Sequence, residues 1–272
     1  MLGVVKIGGA RGNRYDHLVR ELSARVLRGE RWILVHGASG RMEELCASRG
    51  VEVRIVCSPS GYTSRYVGPV EREIFEEAAF HMSHLVSSML RSSGVEPAIV
   101  TPAEGERKDC LRSVEGGRVR ILRDNYSGRV TRVDPQPIRR LLELSKVPVI
   151  PPLAMCQGLF INVDGDRLAA QVAAAVGAQG LVILSNVPGL MRDLEDPNSV
   201  LPMASLEEWD LVESLAAGNM KRKVLAAREA LGAGVQRVIL ADGRLEEPLA
   251  GALEGRGTVL CSAPCTVAAA SS

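Results

Sequence analysis

The sequence predicts an α/β protein with a parallel sheet. The chain forms either one large core or two unequal lobes that share the sheet. Short apolar runs alternate with amphipathic stretches along the 272 residues, as in βαβ units. A hydrophobic content of 46% suffices to bury such a core, and no internal repeat is visible. Pro151 and Pro152, which follow a predicted strand, mark a lobe boundary between residues 152 and 153.

The individual elements follow from their periodicity and length. Apolar runs predict strands at residues 4–7, 32–36, 97–100, 119–122, 147–150, 181–184, 237–241 and 258–261. Amphipathic segments predict helices at residues 15–27, 69–91, 166–176 and 220–231. The stretch 103–133, rich in glycine and charge, predicts hairpins.

Composition excludes several classes of function. The formal charge is +1, from 33 basic and 32 acidic residues, so neither nucleic acid nor a membrane surface is an expected partner. No apolar run approaches the ~20 residues of a membrane span, and the first residues resemble a strand, so we expect a cytoplasmic protein. The six cysteines lack a CxxC pair or metal-ligand spacing, which predicts reduced thiols and no metal site, with a Cys261–Cys265 disulfide as the alternative.

Two glycine-containing turns follow predicted strands. Lys6 precedes Gly8 and Gly9, and a second strand ends at His36, before Gly37. In an open parallel sheet, ligands gather beyond the carboxyl ends of the strands, and glycine lets main-chain N–H groups approach phosphate. A tight strand-to-helix turn is the alternative, since neither segment matches the P-loop or the GxGxxG fingerprint.

Arg65 and the segment 162–166 are further candidates. Arg65 lies among hydroxyl side chains, which suits bidentate capture of a carboxylate, although a solvated loop arginine has the same surroundings. Asp166 begins a small-residue helix and could be a simple cap. Capping leaves Asn162 and Asp164 without a reason, so function gains weight.

The C-terminal half offers two more candidates. Residues 181–190 form a buried strand that ends in a Pro-Gly turn, which is a natural nucleotide pocket or only a turn. Residues 218–223 open a helix with clustered positive charge, which a helix dipole disfavours. Either a bound anion or solvent could relieve that mismatch.

Taken together and in order, these segments resemble the amino-acid-kinase superfamily, and within it the acetylglutamate kinases. The similarity extends over nearly the whole chain. Residues 58–66, which include Tyr62, and residues 125–130 are similar to the archaeal LysZ-type enzymes, which phosphorylate glutamate or 2-aminoadipate held on the carrier protein LysW. The resemblance implies a three-layer sandwich around a mainly parallel open sheet, with residues 1–152 as the acyl-substrate and dimerisation lobe and residues 153–272 as the ATP lobe.

The resemblance also implies roles for individual residues. Phosphoryl transfer would rest on Lys6, Lys223 and Asp166. The acyl substrate would be bound by Gly37, Ala38, Arg65 and Asn162. The nucleotide would be bound by Gly8, Gly9, Ser185, Asn186, Val187, Gly189, Leu190 and Met220. Mg²⁺ would arrive with ATP rather than on a protein cage, and the helix at residues 69–91 would form a homodimer interface.

The sequence departs from the family pattern in three segments. Ala38-Ser39 stands where glycines are expected, Asn186 replaces an aspartate, and Asn219 replaces a glycine. Three hypotheses follow: a kinase acting on a carrier-linked substrate, an acetylglutamate kinase acting on the free molecule, and a binding regulator without turnover. Residues 105–140 hold ten Lys/Arg against five Asp/Glu, which favours docking of a small acidic carrier unless this stretch is simply a solvated hairpin.

Overall fold

A computed structural model describes residues 1–57, 59, 63–196 and 198–263. Its strands are β1 Leu2–Ile7, β2 Arg31–His36, β3 Ile55–Cys57, β4 Thr63–Arg65, β5 Pro97–Ile99, β6 Ala103–Arg107, β7 Leu111–Glu115, β8 Arg118–Leu122, β9 Ser127–Val133, β10 Val147–Ile150, β11 Leu153–Cys156, β12 Leu159–Val163, β13 Gly180–Ser185, β14 Met203–Ser205, β15 Arg237–Asp242 and β16 Thr258–Cys261. Its α-helices are α1 Tyr15–Leu27, α2 Ser39–Ser48, α3 Pro69–Ser92, α4 Pro135–Glu143, α5 Gly165–Val176, α6 Trp209–Leu215, α7 Met220–Gly232 and α8 Pro248–Leu253.

The main sheet has eight strands in the order β14-β16-β15-β13-β1-β2-β10-β5. Every neighbouring pair in it is parallel except β15 and β16. β1 lies at its centre, between β13 and β2. The carboxyl ends of these three strands therefore meet at one edge of the sheet, where ligands of open α/β sheets bind.

Helices cover both faces of this sheet. Successive side chains of a strand point to opposite faces, so Val4 packs into the cluster beneath α4, α5 and α7, whereas Val5 packs into the cluster beneath α1, α3 and α8. Both clusters are closed to solvent, which explains why the central strands are continuous apolar runs. The predicted mainly parallel sheet and three-layer sandwich are confirmed.

A closed four-stranded barrel, in the order β11-β12-β9-β6, lies next to the sheet. It combines strands from both sides of the lobe boundary that the sequence predicts at residue 152, so that boundary stays a prediction. The hairpins expected in residues 103–133 are present, as the antiparallel pairs β6–β9 and β7–β8. A further hairpin, β3–β4, lies ahead of α3.

Two predictions concern features at the margin of the fold. None of the helices in the described ranges combines the length and apolar character that a membrane crossing requires. Cys261 is buried, and Cys265, its possible disulfide partner, lies outside the described residues.

Candidate active site

A cavity of about 730 Å³ lies at the carboxyl ends of β1, β2 and β13, between the main sheet and the barrel. We call it the central cavity. Eleven of the fifteen predicted site residues line it: Lys6, Gly8, Gly9, Gly37, Ala38, Arg65, Asn162, Asp166, Ser185, Asn186 and Lys223. The fold thus brings together residues that are up to 217 positions apart in sequence.

The two glycine turns form the floor of the cavity because their main chains touch. A Cβ atom on Gly9 would lie 2.4 Å from the nitrogen of Ala38, and a Cβ atom on Gly37 would lie 2.2 Å from the nitrogen of Gly9. Gly40 N–H donates to the Gly9 carbonyl at 2.8 Å, which locks the turns together. Helix α2 begins at Ser39 without a side-chain cap, so its first N–H groups add positive potential suited to an anion.

Asp166 joins two lysines that come from different parts of the chain. The Nζ atom of Lys6, on β1, lies 2.7 Å from Asp166 Oδ1. The Nζ atom of Lys223, on α7, donates to Asp166 Oδ2 at 2.8 Å. The Lys6 and Asp166 side chains are each only 8% exposed, and that of Lys223 is 13% exposed. Each carboxylate oxygen therefore holds one ammonium group beside the cavity.

The start of α5 positions this carboxylate. Asp164 Oδ1 accepts the N–H groups of Asp166 and Arg167, both at 3.0 Å, and so caps the helix. Asp166 consequently lies in the first turn, where the helix dipole favours negative charge. Gly165 lies beside the Lys6 side chain, since a Cβ atom on Gly165 would lie 3.4 Å from Lys6 Cε.

Burial and the charge of the partners shift the pKa of Asp166 and of Lys6 in opposite directions. Burial tends to raise the pKa of Asp166, but the charges of Lys223 and Lys6 outweigh it and hold that pKa well below its usual range. Burial lowers the pKa of Lys6, and Asp166 opposes that shift. Burial and the neighbouring Asp166 both raise the pKa of Asp164. The two lysines and Asp166 together carry a net positive charge, which suits a phosphoryl group.

The predicted acyl-substrate residues lie toward the barrel side of the cavity. Arg65, on β4, donates to Met42 Sδ at 3.0 Å and forms an ion pair with Glu43, which an incoming carboxylate could replace. Asn162, on β12, is 3.5 Å from the Ser127 hydroxyl. Ser58, Ser60, Gly61 and Tyr62, from the loop that supports the LysZ-type resemblance, lie outside the described residues.

Four predicted nucleotide residues, Val187, Gly189, Leu190 and Met220, are not among the described residues that line the central cavity. The side chain of Leu190 is 1% exposed and belongs to the hydrophobic core. A Cβ atom on Gly189 would lie 2.8 Å from Thr258 Oγ1, so glycine is required there for packing. Contact of these four residues with a nucleotide stays a prediction.

Several cavity residues were missed by sequence reasoning. Asn13 donates to the Gly8 carbonyl at 3.0 Å and supports the first glycine turn. Asn125 is fully buried and donates to the carbonyls of Lys108 at 2.7 Å and Ser127 at 3.1 Å, so it shapes the cavity wall without reaching it. Arg222 carried a signal, since it lies in the basic start of α7. Asn125 also carried one, since it lies in the segment 125–130 that resembles the LysZ-type enzymes, whereas the isolated Asn13 carried none.

The cavity has an excess of positive charge. Its described lining includes six basic and three acidic side chains, namely Lys6, Arg65, Lys108, Arg167, Arg222 and Lys223 against Glu43, Asp164 and Asp166. Such a lining favours a polyanionic ligand. Among the described residues, no group of three or more His, Cys, Asp or Glu side chains is placed to hold a metal ion.

Solved structures of known proteins share this fold. An N-acetylglutamate synthase from Neisseria gonorrhoeae, solved with coenzyme A and N-acetylglutamate, matches with a TM-score of 0.79 at 22% identity, over 97% of this chain and 60% of its own. This chain therefore spans about three fifths of that synthase. A carbamate kinase from Giardia lamblia bound to AMP-PNP matches with a TM-score of 0.67 at 16% identity, over 96% and 98% of the two chains.

Curated relatives are more similar in sequence. A [LysW]-aminoadipate kinase from Deinococcus radiodurans is 41% identical over 94% of this chain and 90% of its own. The [LysW]-aminoadipate kinase of Thermus thermophilus is 35% identical over 94% and 99%. A [LysW]-aminoadipate/[LysW]-glutamate kinase from Sulfolobus acidocaldarius is 32% identical over the same shares. The model of the amino acid kinase family matches residues 1–242, and the chain belongs to that family.

Proposed function

We propose that this protein transfers the γ-phosphoryl group of ATP to the side-chain carboxylate of 2-aminoadipate or glutamate linked to a LysW-like carrier protein. The product would be an acyl phosphate, in a step of lysine or arginine biosynthesis. The observation that carries the proposal is the pair of buried ammonium groups, Lys6 and Lys223, that meet on Asp166 in a positively charged cavity. The names of the curated relatives supply the carrier-linked substrate.

The chemistry needs positioning and charge neutralisation rather than a general base. The substrate carboxylate is already a nucleophile at neutral pH, and its repulsion from the triphosphate is the main obstacle. Lys6 and Lys223 would neutralise the transferring phosphoryl group, and Asp166 would hold both lysines in place. Main-chain N–H groups of the glycine turns and of the α2 start would bind phosphate oxygens. Mg²⁺, bound to the nucleotide phosphates, would supply further charge neutralisation.

In this proposal the acyl substrate and the nucleotide bind on different sides of the cavity. Arg65 and Asn162, next to the barrel, would bind the acyl substrate together with Gly37 and Ala38. Ser185 and Asn186, at the end of β13, would face the nucleotide, since a strand terminus in an open sheet is where nucleotides bind. Asn186 has the size of an aspartate without its charge, so it would bind as a neutral hydrogen-bonding group.

The β7–β8 hairpin supports docking of an acidic carrier. Arg112 pairs with Ile121 and shares one face of the hairpin with Val119; all three are exposed, the two apolar residues to 58% and 57%. Arg118 and Arg120 are also exposed and lie on the other face, so the hairpin carries positive charge on both faces. Positive charge steers the encounter with an acidic protein partner, while contact with the apolar side chains retains the complex. A homodimer through α3 and a cytoplasmic location complete the proposal.

A side-by-side assay tests the proposal. Purified protein, MgATP and one of three substrates, carrier-linked 2-aminoadipate, carrier-linked glutamate or free N-acetylglutamate, are combined with hydroxylamine, which traps acyl phosphates as hydroxamates. We expect hydroxamate from a carrier-linked substrate, with a kcat/KM at least ~10-fold above that for free N-acetylglutamate. A higher value for the free molecule would make this an acetylglutamate kinase, and tight ATP binding without hydroxamate from any substrate would make it a regulator.

A further inference from the structure

Arg222 spans the central cavity between two parts of the fold. It lies in the first turn of α7, directly before Lys223. Its Nη2 atom donates to the Ser64 hydroxyl on β4 at 3.1 Å, and its Nη1 atom lies 3.8 Å from Asp164 Oδ2. Ser64 directly precedes Arg65. The Arg222 guanidinium therefore contacts Ser64, the neighbour of Arg65. It also lies near Asp164, which caps the helix that carries Asp166.

The contacts of Arg222 differ from the other ion pairs between α5 and α7. Lys223 pairs with Asp166, and Arg167 pairs with Glu229 through two hydrogen bonds of 2.9 and 2.6 Å. Both of those pairs stay within the two packed helices. Arg222 also reaches the β3–β4 hairpin, 158 residues away in sequence. It therefore ties the element that carries Lys223 to the element that carries Arg65.

The electrostatics of the α7 start explain why this guanidinium faces the cavity. Positive side chains are disfavoured at a helix N-terminus, because the dipole there is positive. The carboxylates at the start of α5 compensate: Asp166 for Lys223, and Asp164 for Arg222. The Arg222 side chain is 37% exposed, so it remains accessible from the cavity while it bridges Asp164 and Ser64.

We propose that Arg222 is a positioning residue that holds the β3–β4 hairpin against α7, so that Arg65 and the two lysines face one another at the distance the acyl substrate requires. This inference rests on the proposed phosphoryl transfer and assigns a residue that acts through Ser64 rather than on the reacting atoms. Loss of Arg222 frees the hairpin and leaves the nucleotide side intact. It therefore weakens use of the acyl substrate more than use of ATP.

Kinetics of Arg222→Ala, Ser64→Ala, the double variant and Arg222→Lys test this assignment. We expect Arg222→Ala to raise the KM of the acyl substrate about 10-fold, the factor typical of one charge-assisted hydrogen bond, with the KM of ATP within about 2-fold of wild type. Ser64→Ala should raise the KM of the acyl substrate at least ~3-fold. The double variant should have the same KM as Arg222→Ala, since both changes break one interaction. Arg222→Lys, which keeps a donor and the charge, recovers part of the loss. Arg228→Ala is the matched control, because Arg228 also lies on α7 and pairs with Glu213 away from the cavity.

Hydrogen exchange provides a readout that does not depend on turnover. The Tyr66 N–H group donates to the Arg54 carbonyl at 2.9 Å beside the hairpin. We expect peptides covering residues 63–66 to exchange at least ~3-fold faster in both Arg222→Ala and Ser64→Ala, but not in Arg228→Ala. Additive kinetic effects, a silent Ser64→Ala, an equal rise in the KM of ATP, or unchanged exchange would each overturn the assignment. If the wild-type protein forms no acyl phosphate, the proposed function fails, while the exchange result still decides whether Arg222 holds the hairpin.

Discussion

Replacing Asp166 with asparagine removes one negative charge and almost no volume. The carboxylate receives Lys6 at 2.7 Å and Lys223 at 2.8 Å, and all three side chains are largely shielded from solvent. Asparagine keeps one oxygen but presents its NH₂ group to the other lysine, so a donor faces a donor. The variant therefore leaves at least one buried ammonium group without a partner.

The size of the effect follows from burial. Removing one partner of a buried ion pair costs about 3–5 kcal/mol, because the remaining charge stays desolvated and unpaired. For a chain of this length that corresponds to a fall in Tm of roughly 10 °C. Lys6 escapes part of the cost by releasing its proton, because burial already lowers its pKa and Asp166 opposes that shift. A neutral Lys6 cannot neutralise phosphate, so we expect kcat to fall by ~10²-fold or more.

Thermal unfolding and the hydroxamate assay measure these two losses. The remaining activity of Asp166→Asn should decline as pH rises, since the lowered pKa of Lys6 then leaves a smaller protonated fraction. The pKa of Asp166 is depressed in the folded state, so its contribution to stability is present above the unfolded value near ~4 and is lost as pH falls through the folded value. The difference in stability between the two proteins should shrink accordingly in acid. Asp16→Asn, which breaks an exposed pair with Arg14, is the control. A variant with wild-type Tm and kcat within threefold would refute the role of Asp166.

Three further results are expected. Lys223→Met should lower kcat by ~10²-fold or more in the hydroxamate assay, whereas Lys221→Met, on the exposed side of the same helix start, should leave it within twofold. Burial, with a contribution from the charge of Lys6, lowers the pKa of His36 to about 4. The free energy of unfolding, measured by denaturant titration, should therefore fall by about 3 kcal/mol as pH falls from 6.5 toward 4. This fall should be absent in His36→Asn and unchanged in His81→Asn. Asn125→Ala should lower the free energy of unfolding by about 2 kcal/mol, measured in urea, because it leaves buried main-chain groups unsatisfied.

The central layers of the fold could be predicted from sequence because their strands are buried on both faces. Such strands are continuous apolar runs, and β10 and β16 match their predicted bounds. The barrel strands β11 and β12 escaped prediction because they mix exposed with buried positions and so are not continuous apolar runs. Helix α4 carried a usable signal: Asp134 accepts the N–H group of Gln136 and caps it, directly ahead of Pro135. Its nine residues are too few to establish an apolar periodicity of 3.6 residues.

Residues that line the central cavity were predictable where a motif combined chemistry with a strand end. Lys6, Gly37 and Asp166 lie where parallel strands or their following helices begin and end, so topology alone brings them to one edge. The pairing of Arg222 with Ser64 is different, because a contact between residues 158 positions apart depends on how α7 packs. At Leu190 the side chain is buried in the core, and the nucleotide contact that the resemblance implies for this position stays a prediction.

Helix α5 links these observations because it positions Asp166 between the two lysines. Its N-terminal dipole and the Asp164 cap place a carboxylate, Asp166, where negative charge is favoured. That carboxylate pairs with both buried lysines, and at Lys6 it opposes the lowering of the pKa by burial. Ala169, Ala170 and Ala173 are almost completely buried, and such small side chains let the helix approach β1 and α7 closely enough for one carboxylate to reach both lysines. A larger residue on that face would move Asp166 away from one of its partners, so the alanine-rich stretch of α5 helps to set the geometry of Lys6, Asp166 and Lys223 although these alanines do not line the central cavity.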